Sequence, residues 1–249
     1  MKNSFLSLFA LLFVVCSYAQ DIDGLFQKAE RSEKDLKETE ALATYKEILG
    51  LQPESAKTLC KVAELTARIG NRQKDVKQKI TAFTEARQYA EKAIRTKPDA
   101  EGNYVMADIA ARMTTVTSGK EKAAQLRDFK NYTDTALIMN PGHAKTIYLQ
   151  GKWNYEVATL SASEKAAVKL LFGGVPRASV MDAIKSYEKA RSLEPLLLVN
   201  YLDLAKAYVK NHQTDKAIEV LNRLVKLPPK TGDDEAYKAE GKALLVSLQ

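Results

Sequence analysis

The sequence predicts an all-α protein built from stacked helix pairs, and three observations favour this fold class. Five of the seven prolines close segments that share one spacing of small or apolar residues. Hydrophobic residues make up 45% of the chain and charged residues 28%, with only 11 glycines, which is typical of a globular helical protein rather than a disordered or collagen-like one. Apart from a cysteine in the N-terminal leader, Cys60 is the sole cysteine, so packing rather than disulfide bonds must stabilise the fold.

The leader, residues 1–19, has the pattern of a secretory signal peptide. Lys2 provides the positive start, the apolar run that ends at Cys16 is too short to span a bilayer core of about 30 Å, and small residues precede a cut after Ala19. We therefore expect an exported protein, periplasmic or extracellular, whose mature domain is residues 20–249. The alternatives are a buried first helix and a lipoprotein anchored through Cys16, the one route by which we expect membrane association.

One spacing pattern recurs five times along the mature chain. Three small or apolar residues lie four and then three positions apart, and a proline follows five positions later. Steps of four and three place the three residues on one helical face, and the proline cannot continue the helix. The five sets are Ala41, Tyr45, Ile48 and Pro53; Ala86, Ala90, Ala93 and Pro98; Phe129, Thr133, Ala136 and Pro141; Ala183, Tyr187, Ala190 and Pro195; and Ala217, Leu221, Leu224 and Pro229.

A second helix is expected upstream of each of these segments, with a small residue that faces its partner helix. Ala29, Ala63, Gly151 and Ala205 occupy that position, whereas repeat three has Asp108 there. The pattern resembles the tetratricopeptide repeat, in which small residues let the two backbones approach closely. We predict a right-handed superhelix of about five helix-turn-helix repeats; the alternative is an irregular helical bundle.

Three repeats are longer than this spacing requires. Repeats two and three have 11 and 9 extra residues, which predicts lengthened helices, and repeat four has 20. In repeat four, Ser161 and Glu164 fit a capping box and Gly173 ends a short run, so we expect a short inserted helix. A polar helix over residues 233–248 is expected to cap the open end of the array. The inserted helix is expected to pack through Val168, Leu171 and Phe172.

Repeat four and the segment after it resemble the regulator of microtubule dynamics family of tetratricopeptide-like proteins. The similarity is good over residues 144–249 and rests only on repeat spacing over residues 22–143. The residues that carry it are Gly151-Lys152-Trp153-Asn154-Tyr155-Glu156-Val157, Leu160-Ser161, Glu164-Lys165, Leu171-Phe172-Gly173, Pro176, Asn200-Tyr201, Leu204-Ala205-Lys206 and Tyr208.

The resemblance implies a binding scaffold without catalytic residues. Animal members are associated with microtubules or organelle membranes. Because the leader predicts an exported, bacterial-type relative, we expect the fold to carry over and the microtubule role not to. A less specific similarity to periplasmic tetratricopeptide proteins that accompany solute transporters leaves a ligand-handling role open.

No constellation of residues indicates an enzyme or a cofactor site. The sequence has no phosphate-binding glycine-rich loop and no His-Glu-x-x-His motif, and its imidazoles are limited to His143 and His212. Both histidines are expected in surface turns. Cys60 is expected to be an inert, half-buried side chain, with a free thiol facing the groove as the alternative.

The concave side of such an array is lined by the first helices, and its expected lining is basic. Of 24 lining positions in repeats two to five, eight are Lys or Arg and three are Asp or Glu. Apolar residues such as Val105, Met106 and Ile109 are expected to form the floor of the groove. The candidate binding residues are Lys61, Arg112, Tyr148, Lys152, Tyr155, Glu156, Lys206 and Lys210.

A positive groove beside an apolar floor predicts a partner protein or peptide, with an acidic segment as the best match. The alternative function is a transport-associated periplasmic protein that binds a lipid or a small acid. Lysine stems that simply cover apolar surface would explain the same composition. Glu156 is expected to bond backbone or hydroxyl groups of the inserted segment rather than a ligand. Nucleic acid is not expected, because basic and acidic residues alternate along helix faces, as in residues 30–35.

Overall fold

A computed structural model describes residues 22–249, and all of its regular secondary structure in that range is helical. This confirms the predicted all-α class. The predicted signal peptide and Cys16 lie outside the described residues, as does the side chain of Phe172. Between residues 22 and 249, no helix is both long enough and apolar enough to cross a membrane.

Five helix-turn-helix pairs, an inserted helix and a terminal helix make up the described chain. Neighbouring pairs stack through their first helices, since α3 contacts α5, α5 contacts α7 and α7 contacts α10. This is the predicted tetratricopeptide-type superhelix. The helices are α1 (22–34), α2 (Glu38–Leu51), α3 (Ala56–Asn71), α4 (Val76–Thr96), α5 (Ala100–Thr114), α6 (Gly119–Met139), α7 (Ala144–Ala158), α8 (Ala162–Phe172), α9 (Val180–Leu193), α10 (Leu198–Lys210), α11 (Thr214–Leu224) and α12 (Asp234–Ser247).

The extra residues of repeats two and three lengthen their second helices, as predicted. Helices α4 and α6 each have 21 residues, against 14 for α2 and α9. At the end of the array, α12 packs against α10 and α11, which confirms that a terminal helix covers the last repeat.

The insertion of repeat four is the short helix α8, and its start and end follow the sequence signals. The Ser161 hydroxyl accepts the backbone N–H of Glu164, and the Glu164 carboxylate accepts the backbone N–H of Ser161 at 2.8 Å. Gly173 ends the helix in the left-handed region, with φ of 71°. Val168 is buried on the side that contacts α6, but Leu171 is exposed. The expected packing through Leu171 is therefore wrong, since this side chain remains 38% exposed on α8.

Small residues set the distance between the two helices of a pair. Ala29, Ala63 and Ala205 are completely buried at the position where the sequence pattern placed them. At Gly151 on α7 the approach of α9 is also close, because an added Cβ would lie 2.7 Å from Tyr187 Cδ1 and 3.1 Å from the Ala183 carbonyl oxygen. Only glycine fits at this position without moving α9.

We predict that Gly151→Ala lowers the free energy of unfolding by about 1–3 kcal/mol, because the new methyl group overpacks the α7–α9 contact. Urea denaturation followed by circular dichroism would measure the change. Gly50→Ala is the matched control, since an added Cβ at Gly50 meets no atom within 4 Å. Its expected effect is neutral or slightly stabilising. A Gly151→Ala protein as stable as the wild type would contradict the close approach.

Candidate binding groove on the concave face

The first helices α3, α5, α7 and α10 line a cavity of about 670 Å³ on the concave face. The loop between α9 and α10 forms one wall with a run of leucines that includes Leu196 and Leu197. Residues 225–233, which link α11 to α12 and are called the strap here, form another wall together with the start of α12. The C-terminal segment of the chain thus closes one side of the groove.

The structure brings five of the eight candidate binding residues together at this cavity. The other three lie elsewhere. Tyr155 is half-buried against the core, and Glu156 is paired with Lys122 of α6. Lys210 is exposed in the last turn of α10. None of the three lines the cavity. The five that do are Lys61, Arg112, Tyr148, Lys152 and Lys206.

The expected basic character of the groove is wrong. Among the described residues, the lining has eight acidic and seven basic side chains. The predicted lining included only the first helices of repeats two to five, whereas α1 of repeat one, the α9–α10 loop, the strap and α12 add carboxylates. The acidic residues are Glu33, Glu64, Asp108, Glu194, Asp203, Asp233, Asp234 and Glu240, and the basic residues are Lys61, Arg68, Arg112, Lys145, Lys152, Lys206 and Lys230.

The expected apolar floor is also wrong in its composition. Val105, Met106 and Ile109 are buried in the core and do not line the cavity. The leucine-rich lining comes instead from the end of α9, the α9–α10 loop and the start of α10, where Leu193 and Leu196 remain about half exposed, at 48% and 42%. The cavity therefore has a charged side and a leucine-rich side.

A buried ion-pair network forms the centre of the charged side. Arg68 Nη2 donates to Glu64 Oε1 at 2.9 Å, Arg68 Nη1 donates to Glu38 Oε1 at 2.8 Å, and Lys145 Nζ donates to Glu64 Oε1 at 3.4 Å. Burial raises the pKa of Glu64, but the charges of Lys145 and Arg68 outweigh it and hold that pKa well below 4.5, the ordinary value. In the same way, the Glu64 charge raises the pKa of Lys145.

A second cluster of paired groups surrounds Asp203 on α10. The Tyr148 hydroxyl donates to Asp203 Oδ2 at 2.8 Å, and the ammonium groups of Lys152 and Lys206 lie 4.0 and 3.9 Å from its carboxylate oxygens. Lys206 also reaches Glu240 on α12 at 2.7 Å. These contacts tie α7, α10 and α12 together on the concave side.

The strap is bound to the first and second repeats by an ion pair with Arg72 and a backbone hydrogen bond to Glu38, which together are called the latch here. Arg72 Nη1 donates to Asp233 Oδ1 at 2.7 Å and Arg72 Nη2 to Glu38 Oε2 at 2.6 Å, while Gly232 N–H donates to Glu38 Oε1 at 3.0 Å. Arg112 Nη1 lies 4.0 Å from Asp233 Oδ2. No sequence pattern indicates this contact, because Arg72 and Asp233 are 161 positions apart and the strap has no periodicity.

Glu156 reaches the inserted helix indirectly. Its carboxylate lies 3.7 Å from Lys122 Nζ, and Lys122 donates to Glu164 of α8 at 2.7 Å. Burial raises the pKa of Glu156 even though Lys152 and Lys122 oppose the rise. Glu156 thus supports the contact between α6 and α8 through Lys122 and does not line the groove.

The histidines and Cys60 have structural roles. His143 is the N-cap of α7 and its Nδ1 accepts the backbone N–H of Thr146, while His212 lies in the α10–α11 turn with φ of 57°. Cys60 is 5% exposed and is more buried than expected. Burial raises the pKa of its thiol to about 12, so the thiolate that reacts is scarce at neutral pH.

We predict that Glu64→Gln lowers the free energy of unfolding at pH 7 by about 3 kcal/mol, because it removes the carboxylate shared by Arg68 and Lys145. The folded pKa of Glu64 is depressed, so its stabilisation is complete above 4.5 and is lost as the pH falls through the folded value. The difference between variant and wild type should therefore shrink below pH 4.5.

Denaturation curves at several pH values would measure this difference, with Glu47→Gln at an exposed site of α2 as the control. A pH-independent loss, or a loss no larger than that of Glu47→Gln, would contradict the network.

Comparison with known proteins agrees with this architecture. A crystal structure of a thermophilic tetratricopeptide-repeat protein from Thermus thermophilus superimposes with a TM-score of 0.62, covering 89% of this chain and 99% of that one at 16% sequence identity. At this identity the match supports the fold alone.

Sequence relatives come from animals. The chain is 33% identical to regulator of microtubule dynamics protein 2 of Bos taurus over 122 residues, which cover 49% of this chain and 30% of that protein. It is 28% identical to regulator of microtubule dynamics protein 1 of Caenorhabditis elegans over 145 residues, covering 55% and 64%. The chain thus spans less than two thirds of these relatives. The family model described as regulator of microtubule dynamics protein 1-3 matches residues 19–249, and the chain belongs to that family.

Proposed function

We propose that the protein is a non-enzymatic scaffold that binds a segment of a partner protein on its concave face. The observation that carries this proposal is the cavity of about 670 Å³ between the first helices, which joins a charged side to a leucine-rich side. Tetratricopeptide arrays are curved solenoids whose concave surfaces serve binding. Among residues 22–249, no group of three or more His, Cys, Asp or Glu side chains could hold a metal ion.

The lining favours a polypeptide over a lipid. Fifteen charged side chains line the cavity, and an acyl chain placed there would remove them from water without supplying any hydrogen bond in return. A polypeptide segment supplies backbone donors and acceptors and both signs of charge, while one of its apolar side chains can contact Leu193 or Leu196. We therefore narrow the two functional alternatives to the protein-binding one.

The proposal includes export but not a microtubule partner. The leader pattern of residues 1–19 supports cleavage after Ala19 and delivery out of the cytoplasm. The names of the relatives connect those proteins with microtubule dynamics, but the chain covers only part of their length. We propose that the family scaffold is used here for a different partner.

Photocrosslinking in the native cells tests the proposal. A photoreactive amino acid at Leu196, which lines the cavity, should give adducts with a discrete partner protein, whereas one at Ile138, 82% exposed and outside the lining, should not. Sequencing of the adduct identifies the bound segment. No adduct at Leu196, or the same adducts at both positions, would contradict binding on the concave face.

A synthetic peptide of the captured segment then tests the lining directly. Lys152→Glu should weaken its binding by about tenfold, because it reverses a charge within the cavity, which corresponds to about 1.4 kcal/mol. Lys185→Glu on the exposed surface of α9 is the matched control and should leave the affinity unchanged. Fluorescence anisotropy would measure both affinities, and equal effects of the two reversals would argue against the groove.

A further inference from the structure

We infer that the strap occupies the position that an acidic segment of the partner takes, so that the free protein blocks its own groove. This inference rests on the proposed function, because it names the chemistry of the segment that binds the concave face. It also names the residues that bind it, Arg72 and Arg112, and the internal residue that competes with it, Asp233.

The strap crosses from the last repeat to the second repeat instead of turning directly into α12. Asp233 is 6% exposed, although it lies in a connection between helices. Its carboxylate has guanidinium groups from α3 and α5 beside it. A connection that only joins α11 to α12 needs no such contacts with helices two and three repeats away.

The contacts of the strap are those of a bound peptide. It supplies one carboxylate, Asp233, and one free backbone donor, the Gly232 N–H. There is no room for a side chain at residue 232, because a Cβ added to Gly232 would lie 2.8 Å from Arg72 Nη1 and 2.9 Å from Glu38 Oε2. Pro228 and Pro229 precede these residues and favour an extended backbone. A separate chain with a small residue followed by an acidic one could make the same contacts.

The receptor side of the contact is prepared for such an exchange. When the strap moves away and Asp233 is withdrawn, Arg72 still has its ion pair with Glu38. Arg112 likewise still has its ion pair with Asp108, at 2.7 Å. Each guanidinium has further donors, and Asp233 is the acceptor they share. A carboxylate from a partner can replace that of Asp233 without leaving a buried charge unpaired, so the exchange avoids the large cost of breaking a buried ion pair. The partner segment therefore matches the strap in charge and shape.

The covalent link makes the strap a strong competitor. A short tether holds a binding segment at an effective concentration in the millimolar range, so a separate segment with the same contacts must exceed that concentration to displace it. Weakening the latch should therefore increase the affinity for a peptide in trans. If the strap were unrelated to the binding site, weakening the latch would leave the affinity for the peptide unchanged.

A labelled peptide with the sequence of residues 228–238 tests the inference on the full chain by fluorescence anisotropy. It should bind at least about tenfold more tightly to Asp233→Asn than to the wild type. Gly232→Ala, which displaces the strap by steric conflict without a change of charge, should show the same gain. Glu235→Gln, an exposed acidic position just beyond the strap, is the matched control and should bind like the wild type.

Two further arms locate the binding site. A peptide with Asn in place of the aspartate of residue 233 should bind to the Asp233→Asn protein without the gain in affinity. The original peptide should likewise show no gain with a protein that carries both Asp233→Asn and Arg72→Ala. Thermal melting of each variant confirms that it is folded, and the two independent strap variants allow the test to proceed if one is not.

Equal binding to wild type, Asp233→Asn and Gly232→Ala, or binding to none of them, would overturn the inference. Neither result bears on the proposed function, which is tested separately by the crosslinking comparison between Leu196 and Ile138 and by the affinities of Lys152→Glu and Lys185→Glu. A gain that survives Arg72→Ala would place the peptide elsewhere and would also overturn the inference.

Discussion

The rest of the structure depends on how closely the two helices of each repeat approach. At Gly151 the backbone of α7 lies so near to α9 that a methyl group would contact Tyr187 and the Ala183 carbonyl oxygen. Completely buried alanines have the same position in repeats one, two and five. The closely packed pairs stack on one another with a small rotation from each repeat to the next, and this rotation makes the array curve. The concave cavity is a consequence of that curvature rather than of any single residue that lines it.

Curvature also brings together residues that are far apart in sequence. The strap after the last repeat contacts the end of α3, which closes one side of the groove. The carboxylates of Glu38 and Asp233 that meet there are buried, and each is stable only because it has a partner of opposite charge. The network around Glu64, Arg68 and Glu38 thus links the stability of the protein to the shape of its candidate binding site.

Local features could be predicted from the sequence, while the site could be predicted only in part. Helix spacing, the stops at proline and the capping box of α8 involve residues within a few positions of each other, and the structure confirms them. The groove combines surfaces from distant segments, so a count over the first helices found Lys61 and Lys152 but not Glu194 or Asp233. Five carboxylates from α1, α12 and the connections reversed the expected charge. No periodic signal in the sequence identifies a strap that acts through one carboxylate and one N–H group.

The most direct measurement of this account is a double-mutant cycle between Arg72 and Asp233, with both residues changed to alanine singly and together. These side chains meet only if the array curves enough for the strap to reach the second repeat. We predict a favourable coupling free energy of about 1 kcal/mol from urea denaturation, within the range for residues in direct contact. Strictly additive effects of the two substitutions would show that the ends of the concave face do not meet, and would contradict the closed groove.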